Sequence, residues 1–205
     1  MSFYRDRVYP ALVDRLGNPP PIQALRRKLL AGACGTVLEI GVGSGANFPH
    51  YDIASVRKLY ALEPNPGMQR LAEQRRPAGL DVEFLSLPGE LVALGDASVD
   101  TVVSTFTLCT ISSVHEALNR LARVLRPGGA LLFLENTVAG DARVRRWQGL
   151  WEPVHHRVFE GLYLTRDISS LVTSAGLRIE QLNTVYLSPF PKSWSHCSMG
   201  IAIRD

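Results

Sequence analysis

The stretch VLEIGVGSGANF, residues 37–48, constrains this chain more than any other. TVLEI (36–40) is a short apolar run that reads as a buried strand, and it ends directly in Gly41, Gly43 and Gly45. Glycines at such a point let the backbone turn sharply and approach a ligand closely. The N–H groups there, and the positive end of any helix that follows, favour negative charge. Eighteen residues beyond Gly45 a second apolar run, KLYALE (58–63), ends at Glu63. A carboxylate at that edge can accept hydrogen bonds from both hydroxyls of a ribose. Gly41-x-Gly43-x-x-Ala46 also satisfies the dinucleotide fingerprint, so a nicotinamide cofactor suits these residues too, and a purely structural glycine turn is a third reading.

The same alternation continues along the chain. DVEFLSL (81–87), DTVVSTF (100–106) and ALLFLEN (130–136) read as strands, the last a continuous apolar run suited to the centre of a parallel sheet. RIEQLNTVYL (178–187) and SMGIAI (198–203) make two more. Between them the spacing predicts a helix after Pro66 through Met68 and Leu71 to Arg75. Another runs over Val114–Leu125, with Val114, Leu118, Leu121 and Leu125 on one face, and a third over Arg166–Ala175. Arg126-Pro127-Gly128-Gly129 is expected to close the second of these. Ahead of the first strand, Tyr4, Val8, Leu12 and Leu16 predict an amphipathic helix over 3–16. A second is expected over Ile22–Leu30, with Pro21 as its first position. Strands and helices alternating at this spacing predict an α/β fold, a doubly wound and mostly parallel seven-stranded sheet with an N-terminal helical extension.

Composition narrows the function classes. At 205 residues the chain fits one domain able to bury its own core, and no repeat or long linker divides it. We read residues 1–31 as a helical cap, 36–136 as the ligand-binding core and 137–205 as the opposite side of the site. The net charge is only +3 and no basic tract occurs, so nucleic acid is not expected as a partner. Cys34, Cys109 and Cys197 are odd in number and far apart, which predicts reduced thiols, no metal site and a cytoplasmic setting. Arg5, Asp6 and Arg7 stand where a signal peptide needs an apolar run, and no stretch is apolar enough to span a membrane.

Three further features discriminate among ligands. Glu39 lies two residues before Gly41, unhelpful to a pyrophosphate but useful to a ligand bearing an ammonium group. Asp100 opens the fourth strand, and LNRLARVLRPGGALLFLE (118–135) joins a helix to the fifth through Arg-Pro-Gly-Gly. In this order and spacing, the motifs of residues 36–136 resemble the class I S-adenosylmethionine-dependent methyltransferases, whose sheet is Rossmann-like. The resemblance implies S-adenosyl-L-methionine as cofactor and methyl transfer as the reaction. It implies that Glu39 meets the methionine ammonium, that Gly41, Gly43 and Gly45 pass beneath the methionine and ribose, and that Glu63 holds the ribose diol. Pro64 to Met68 would flank the adenine, Gly89 and Glu90 would line its other side, and Thr105 and Phe106 would face the sulfonium. Where relatives often place an Asp for the adenine amino group, this chain has Pro88-Gly89-Glu90.

Outside the core, GANFPHY (45–51), WEPVHHRVFEGLYLTRD (151–167) and SWSHCSMGIAI (193–203) resemble the methyltransferase-like group that contains animal thiol methyltransferases and their bacterial relatives. Many of that group carry a Cys where this chain has Leu162, and the animal proteins an N-terminal hydrophobic anchor where this chain has a charged amphipathic helix. The expected acceptor is a small, apolar molecule with an S, O, N or C nucleophile. Candidate bases are His50, which follows the glycine turn, and His156 in the expected lid; His155 and His196 are also available, and each of the four has a plain structural reading. Tyr4, Tyr51 and Phe106 are candidates to face the cation. Trp147 and Trp151 among arginines read as a helix packed on the sheet edge, as a roof over an apolar acceptor pocket, or as a face in weak peripheral contact with a membrane. Cys109 reads as a pocket residue or a buried inert thiol. The alternatives are a lipid or quinone methyltransferase, a non-catalytic S-adenosylmethionine-binding protein, and a nicotinamide-dependent oxidoreductase.

Overall fold

The computed structural model describes residues 8–16, 18–89 and 92–205; Tyr4 and Glu90 lie outside them. Seven strands form one sheet: β1 (Gly35–Ile40), β2 (Val56–Leu62), β3 (Asp81–Leu85), β4 (Val99–Thr105), β5 (Leu125–Asn136), β6 (Leu177–Tyr186) and β7 (His196–Arg204). Their spatial order is β3-β2-β1-β4-β5-β7-β6. Pairing is parallel except for β7, which runs antiparallel to both neighbours. This is the doubly wound, mostly parallel sheet that the alternating runs predict.

The pleat assigns alternate residues to opposite cores. Leu38, Val102, Leu131 and Phe133 pack on one face, against α4 (Val114–Val124) and α6 (Ile168–Ser174). Val37, Val103, Leu132 and Leu134 pack on the other, with Leu29 and Leu30 of α2 (Pro20–Leu30) and Ala72 of α3 (Pro66–Gln74). Both faces being covered explains why the central strands read as continuous apolar runs.

Several details differ from expectation. Helix α2 begins at Pro20, so Pro21 takes its second position, where the missing N–H also costs nothing. The Arg-Pro-Gly-Gly stretch belongs to β5 instead of closing a helix. Leu125 pairs with Val99, and regular pairing resumes at Ala130 with Thr101 after an irregularity. The long C-terminal helix, α5 (Ala142–Val158), does not pack both tryptophans on the sheet edge. Trp147 is exposed, while Trp151 stands edge-on to Trp194 of the short helix α7 (Lys192–Ser195). The described part of the first helix is α1 (Tyr9–Leu16).

Between β1 and β4 the winding of the sheet reverses: β2 lies to one side of β1 and β4 to the other. Helices depart from the two strands on opposite faces, leaving a crevice beyond their carboxyl ends.

Candidate functional site

A cleft of about 740 Å³ opens at that crevice. The glycine turn forms its floor. Gly41 and Gly43 line it with φ of +62° and +59°, the left-handed region that favours glycine. A Cβ on Gly41 would collide with the Thr107 side chain, whereas one on Gly43 would meet nothing closer than 3.9 Å. Gly43 therefore leaves its side of the floor open. Gly45 supports the turn from behind, close against the Phe48 ring, and is not a lining residue.

Glu63, just past the end of β2, lines the cleft although largely buried. Its Oε2 accepts from the Gly43 N–H at 2.8 Å and its Oε1 from the Asn65 N–H at 2.8 Å. Each carboxylate oxygen takes a backbone N–H, and this anchoring fixes the group at the cleft. Pro64, Asn65 and Met68 follow along the wall, and the Asn65 side chain caps α3 by accepting from the N–H groups of Gly67 and Met68. Pro88 and Gly89 line the facing wall.

At the other end of the cleft a polar network runs from α2 to β1. Arg26 is buried, and its Nη1 donates to Asn47 Oδ1 at 2.7 Å and to Thr105 Oγ1 at 2.8 Å. Among the described residues its Nε has no hydrogen-bond partner, though the residue lines the cleft. Asn47 Nδ2 donates in turn to Glu39 Oε1 at 2.9 Å, and the Tyr51 hydroxyl donates to Glu39 Oε2 at 2.6 Å. Burial raises the Glu39 carboxyl to about 7 against the opposing pull of these hydrogen bonds and the Arg26 charge. Glu39 is thus one step behind the cleft wall, reaching it through Asn47 and Arg26.

Thr105 and Phe106 close the end of β4, and both line the cleft. Phe106 has φ +55°, a costly conformation for an aromatic residue. Glu135, buried near the end of β5, holds the turn that imposes it. The carboxylate accepts from Ser104 Oγ at 2.6 Å and from the N–H groups of Thr107, Leu108 and Cys109 at 3.1–3.2 Å. Burial raises its pKa and that of the adjacent Cys109 thiol, an inert position in the core.

The structure separates the two candidate bases. His156 lines the cleft with its ring 4.7 Å from that of Tyr163, also a lining residue. His50 sits on the short 3-10 turn Phe48–His50, bonded through Nε2 to Gln23 Oε1 at 2.5 Å, and is not a lining residue. Tyr51 is likewise withdrawn from the cleft, so Phe106 remains of the expected aromatic contacts among the described residues. His155 and His196 are buried against carbonyls of Trp151 and Thr137, as structural histidines are. Among the described residues no cluster of His, Cys, Asp and Glu could hold a metal.

Sequence reasoning missed Arg26, Asn47 and Glu135. Ile22, Arg26, Leu29 and Leu30 are the buried residues of α2. A charged residue in phase with an apolar face was the available signal.

The methyltransferase domain family model matches residues 38–133, the span that carries the glycine floor, Glu63 and the turn after β4. Thiol S-methyltransferase TMT1B of Homo sapiens is 38% identical over 150 residues, covering 68% of this chain and 59% of the relative. Demethylmenaquinone methyltransferase of Renibacterium salmoninarum is 30% identical over 114 residues, covering 53% of this chain and 46% of that protein. The chain therefore spans less than two thirds of the length of these relatives. A solved structure of a SAM-dependent methyltransferase from Aquifex aeolicus superposes with a TM-score of 0.67 at 21% identity, over 96% of this chain and 98% of that one. Motif order, sheet topology and sequence similarity together place the chain among the class I S-adenosylmethionine-dependent methyltransferases.

Proposed function

We propose that the protein transfers a methyl group from S-adenosyl-L-methionine to a small lipophilic thiol. The observation that carries the donor half is Glu63, a carboxylate held at the cleft by two backbone N–H groups, one of them from Gly43 of the open glycine floor. Arg26 supports the same reading, since a cleft-lining guanidinium with an unpartnered Nε is suited to a carboxylate tail.

When bound, S-adenosyl-L-methionine supplies an electrophilic methyl group on a sulfonium, leaving as S-adenosyl-L-homocysteine. The protein's residues then have positional work. Glu63 accepts from the ribose hydroxyls, Met68 and Gly89 flank the adenine, and Arg26 pairs with the methionine carboxylate. Glu39 keeps that end electrically balanced through Asn47. Phe106 offers an aromatic ring to the sulfonium side, worth roughly 0.5–2 kcal/mol. His156 and Tyr163 stand on the acceptor side, where His156 takes the proton of an acceptor that needs one removed. A thiol with a pKa of about 8.5 asks little of such a base, so alignment and exclusion of water carry most of the barrier reduction.

The thiol rests on the TMT1B relative. The quinone-acting Renibacterium relative supports a second reading, a quinol acceptor. Labelled S-adenosylmethionine offered with a panel of alkyl thiols and quinols decides between them. Transfer to thiols is expected, and transfer to quinols alone replaces the acceptor. Tight binding without any transfer makes the protein a non-catalytic S-adenosylmethionine binder, and stabilisation by NAD but not by S-adenosylhomocysteine overturns the reading altogether.

A further inference from the structure

Among the described residues helix α5 is packed along one side. Gln148 is buried, accepting from the Ala139 N–H and donating to the Thr137 carbonyl, and His155 lies against the Trp194 ring at 4.9 Å. The other side presents Trp147 at 55% exposure, Leu150 at 64%, Val154 at 50% and Val158 at 38%, with Trp151 at 36% on its border. Three- and four-residue spacing makes these one continuous stripe. Exposed large apolar side chains usually stand singly, and a contiguous stripe of five signals a binding surface.

The charges beside the stripe have one sign. Arg143, Arg146 and Arg157 are exposed and project alongside it by helical phase. The acids of the same segment are engaged elsewhere. Asp141 caps the N-terminus of α5 by accepting from the Arg143 and Val144 N–H groups, and Glu152 accepts from the Leu164 and Thr165 N–H groups. Arg143 and Arg146 join Trp147 and Leu150 around a shallow surface cavity of about 650 Å³, two guanidinium groups next to an apolar floor.

We propose that this face of α5 docks on an anionic lipid surface. Trp147 and Leu150 enter the headgroup–acyl boundary, and Arg143 and Arg146 meet lipid phosphates, the arrangement of an interfacial amphipathic helix. The same helix carries His156, and Glu160, Gly161 and Tyr163 follow it into the wall of the cleft. Docking therefore holds at the bilayer, where lipophilic acceptors concentrate, the helix that leads into the acceptor side of the cleft. That consequence rests on the methyltransferase reading; the docking itself does not.

The test is co-sedimentation of the full chain with vesicles of phosphatidylcholine alone and of phosphatidylcholine mixed equally with phosphatidylglycerol. Binding to the anionic vesicles, weakened by salt, is expected, with little to the neutral ones. Two double variants, Trp147→Glu with Leu150→Glu and Arg143→Glu with Arg146→Glu, should each lower partitioning about tenfold or more. Circular dichroism and S-adenosylhomocysteine binding should be unchanged, because none of the four residues lines the cleft. Failure of the wild type to bind anionic vesicles overturns the proposal, as does equal binding by both variants. A dimer in size-exclusion chromatography that the Trp147→Glu, Leu150→Glu variant dissociates, without vesicle binding, assigns the face to a second copy instead. Vesicle binding is read without any donor, so loss of S-adenosylhomocysteine binding alone sinks the donor site and leaves the docking standing.

Discussion

At Glu63 the backbone of the glycine floor and of the following loop converge on one carboxylate, and the functional reading leans on it most heavily. Glu63→Ala is expected to weaken S-adenosylhomocysteine binding at least tenfold by calorimetry, since a charged bidentate contact is worth roughly 1.5–3 kcal/mol. An unchanged dissociation constant removes the ribose role. Arg26→Met should cost a similar factor, and the loss should vanish for adenosine, which lacks the methionine tail. Glu39 makes a prediction of a different kind. Burial puts its folded-state pKa at about 7, above the ordinary 4.5. Its contribution to stability is therefore full below pH 4.5 and is lost as pH rises through about 7. Thermal melts over that window should show the wild type losing on the order of 3 kcal/mol relative to Glu39→Gln, and parallel curves would mean that Arg26 keeps the carboxylate ionised throughout. Glu39, Glu63 and the glycines were legible as residues because their chemistry goes with a strand end. Arg26 was harder to single out, because its sequence neighbours Arg27 and Lys28 carry the same charge and only its phase with Ile22, Leu29 and Leu30 sets it apart.

At the scale of elements, the turn after β4 depends on β5. Glu135 binds three consecutive N–H groups of that turn and the Ser104 hydroxyl, holding Phe106 at positive φ beside the cleft. Glu135→Gln places an amide donor against backbone donors and should lower stability by roughly 1–3 kcal/mol in urea titration. A neutral result assigns the turn to packing alone. Helix α1 is tied down in a comparable way. Asp14 accepts from Arg75, the C-cap of α3, at 2.6 and 2.8 Å and from Ser44 of the glycine loop at 2.5 Å, while Tyr9 and Val13 line the cleft. The strands and most helices were readable from periodicity, which reports local burial. The course of Arg126–Gly129 was not, since Pro and Gly ordinarily signal a loop. Here Leu125, buried against Val99, begins the strand early. Asp100, part of the motif pattern, turns out to be a bolt at the amino end of the sheet. It accepts from the Thr36 N–H at 2.7 Å and pairs with Arg126, far from the strand ends that form the cleft.

For the molecule as a whole, the donor cleft joins segments as distant as α1, the β1 loop and the end of α5, so its ligand should stabilise the entire fold. S-adenosylhomocysteine at a hundredfold excess over its dissociation constant should add about 2.7 kcal/mol and raise the melting temperature by roughly 5–10 °C, with NAD producing no shift. The opposite order of effects favours a nicotinamide enzyme. Among the described residues no helix is long and apolar enough to cross a membrane, so attachment through α5 would be peripheral.

By itself the sequence determined the order of strands and helices, the glycine turn and the acid at the end of β2, because these follow from side-chain periodicity and the backbone freedom of single residues. Only the tertiary structure decided that Arg26 reaches the cleft, that His156 faces it while His50 binds Gln23, and that Trp147 stands in solvent while Trp151 packs. Each of those outcomes depends on which side of an element meets a neighbour distant along the chain. Periodicity shows that a helix has a buried side, but only the packed sheet determines what lies against it.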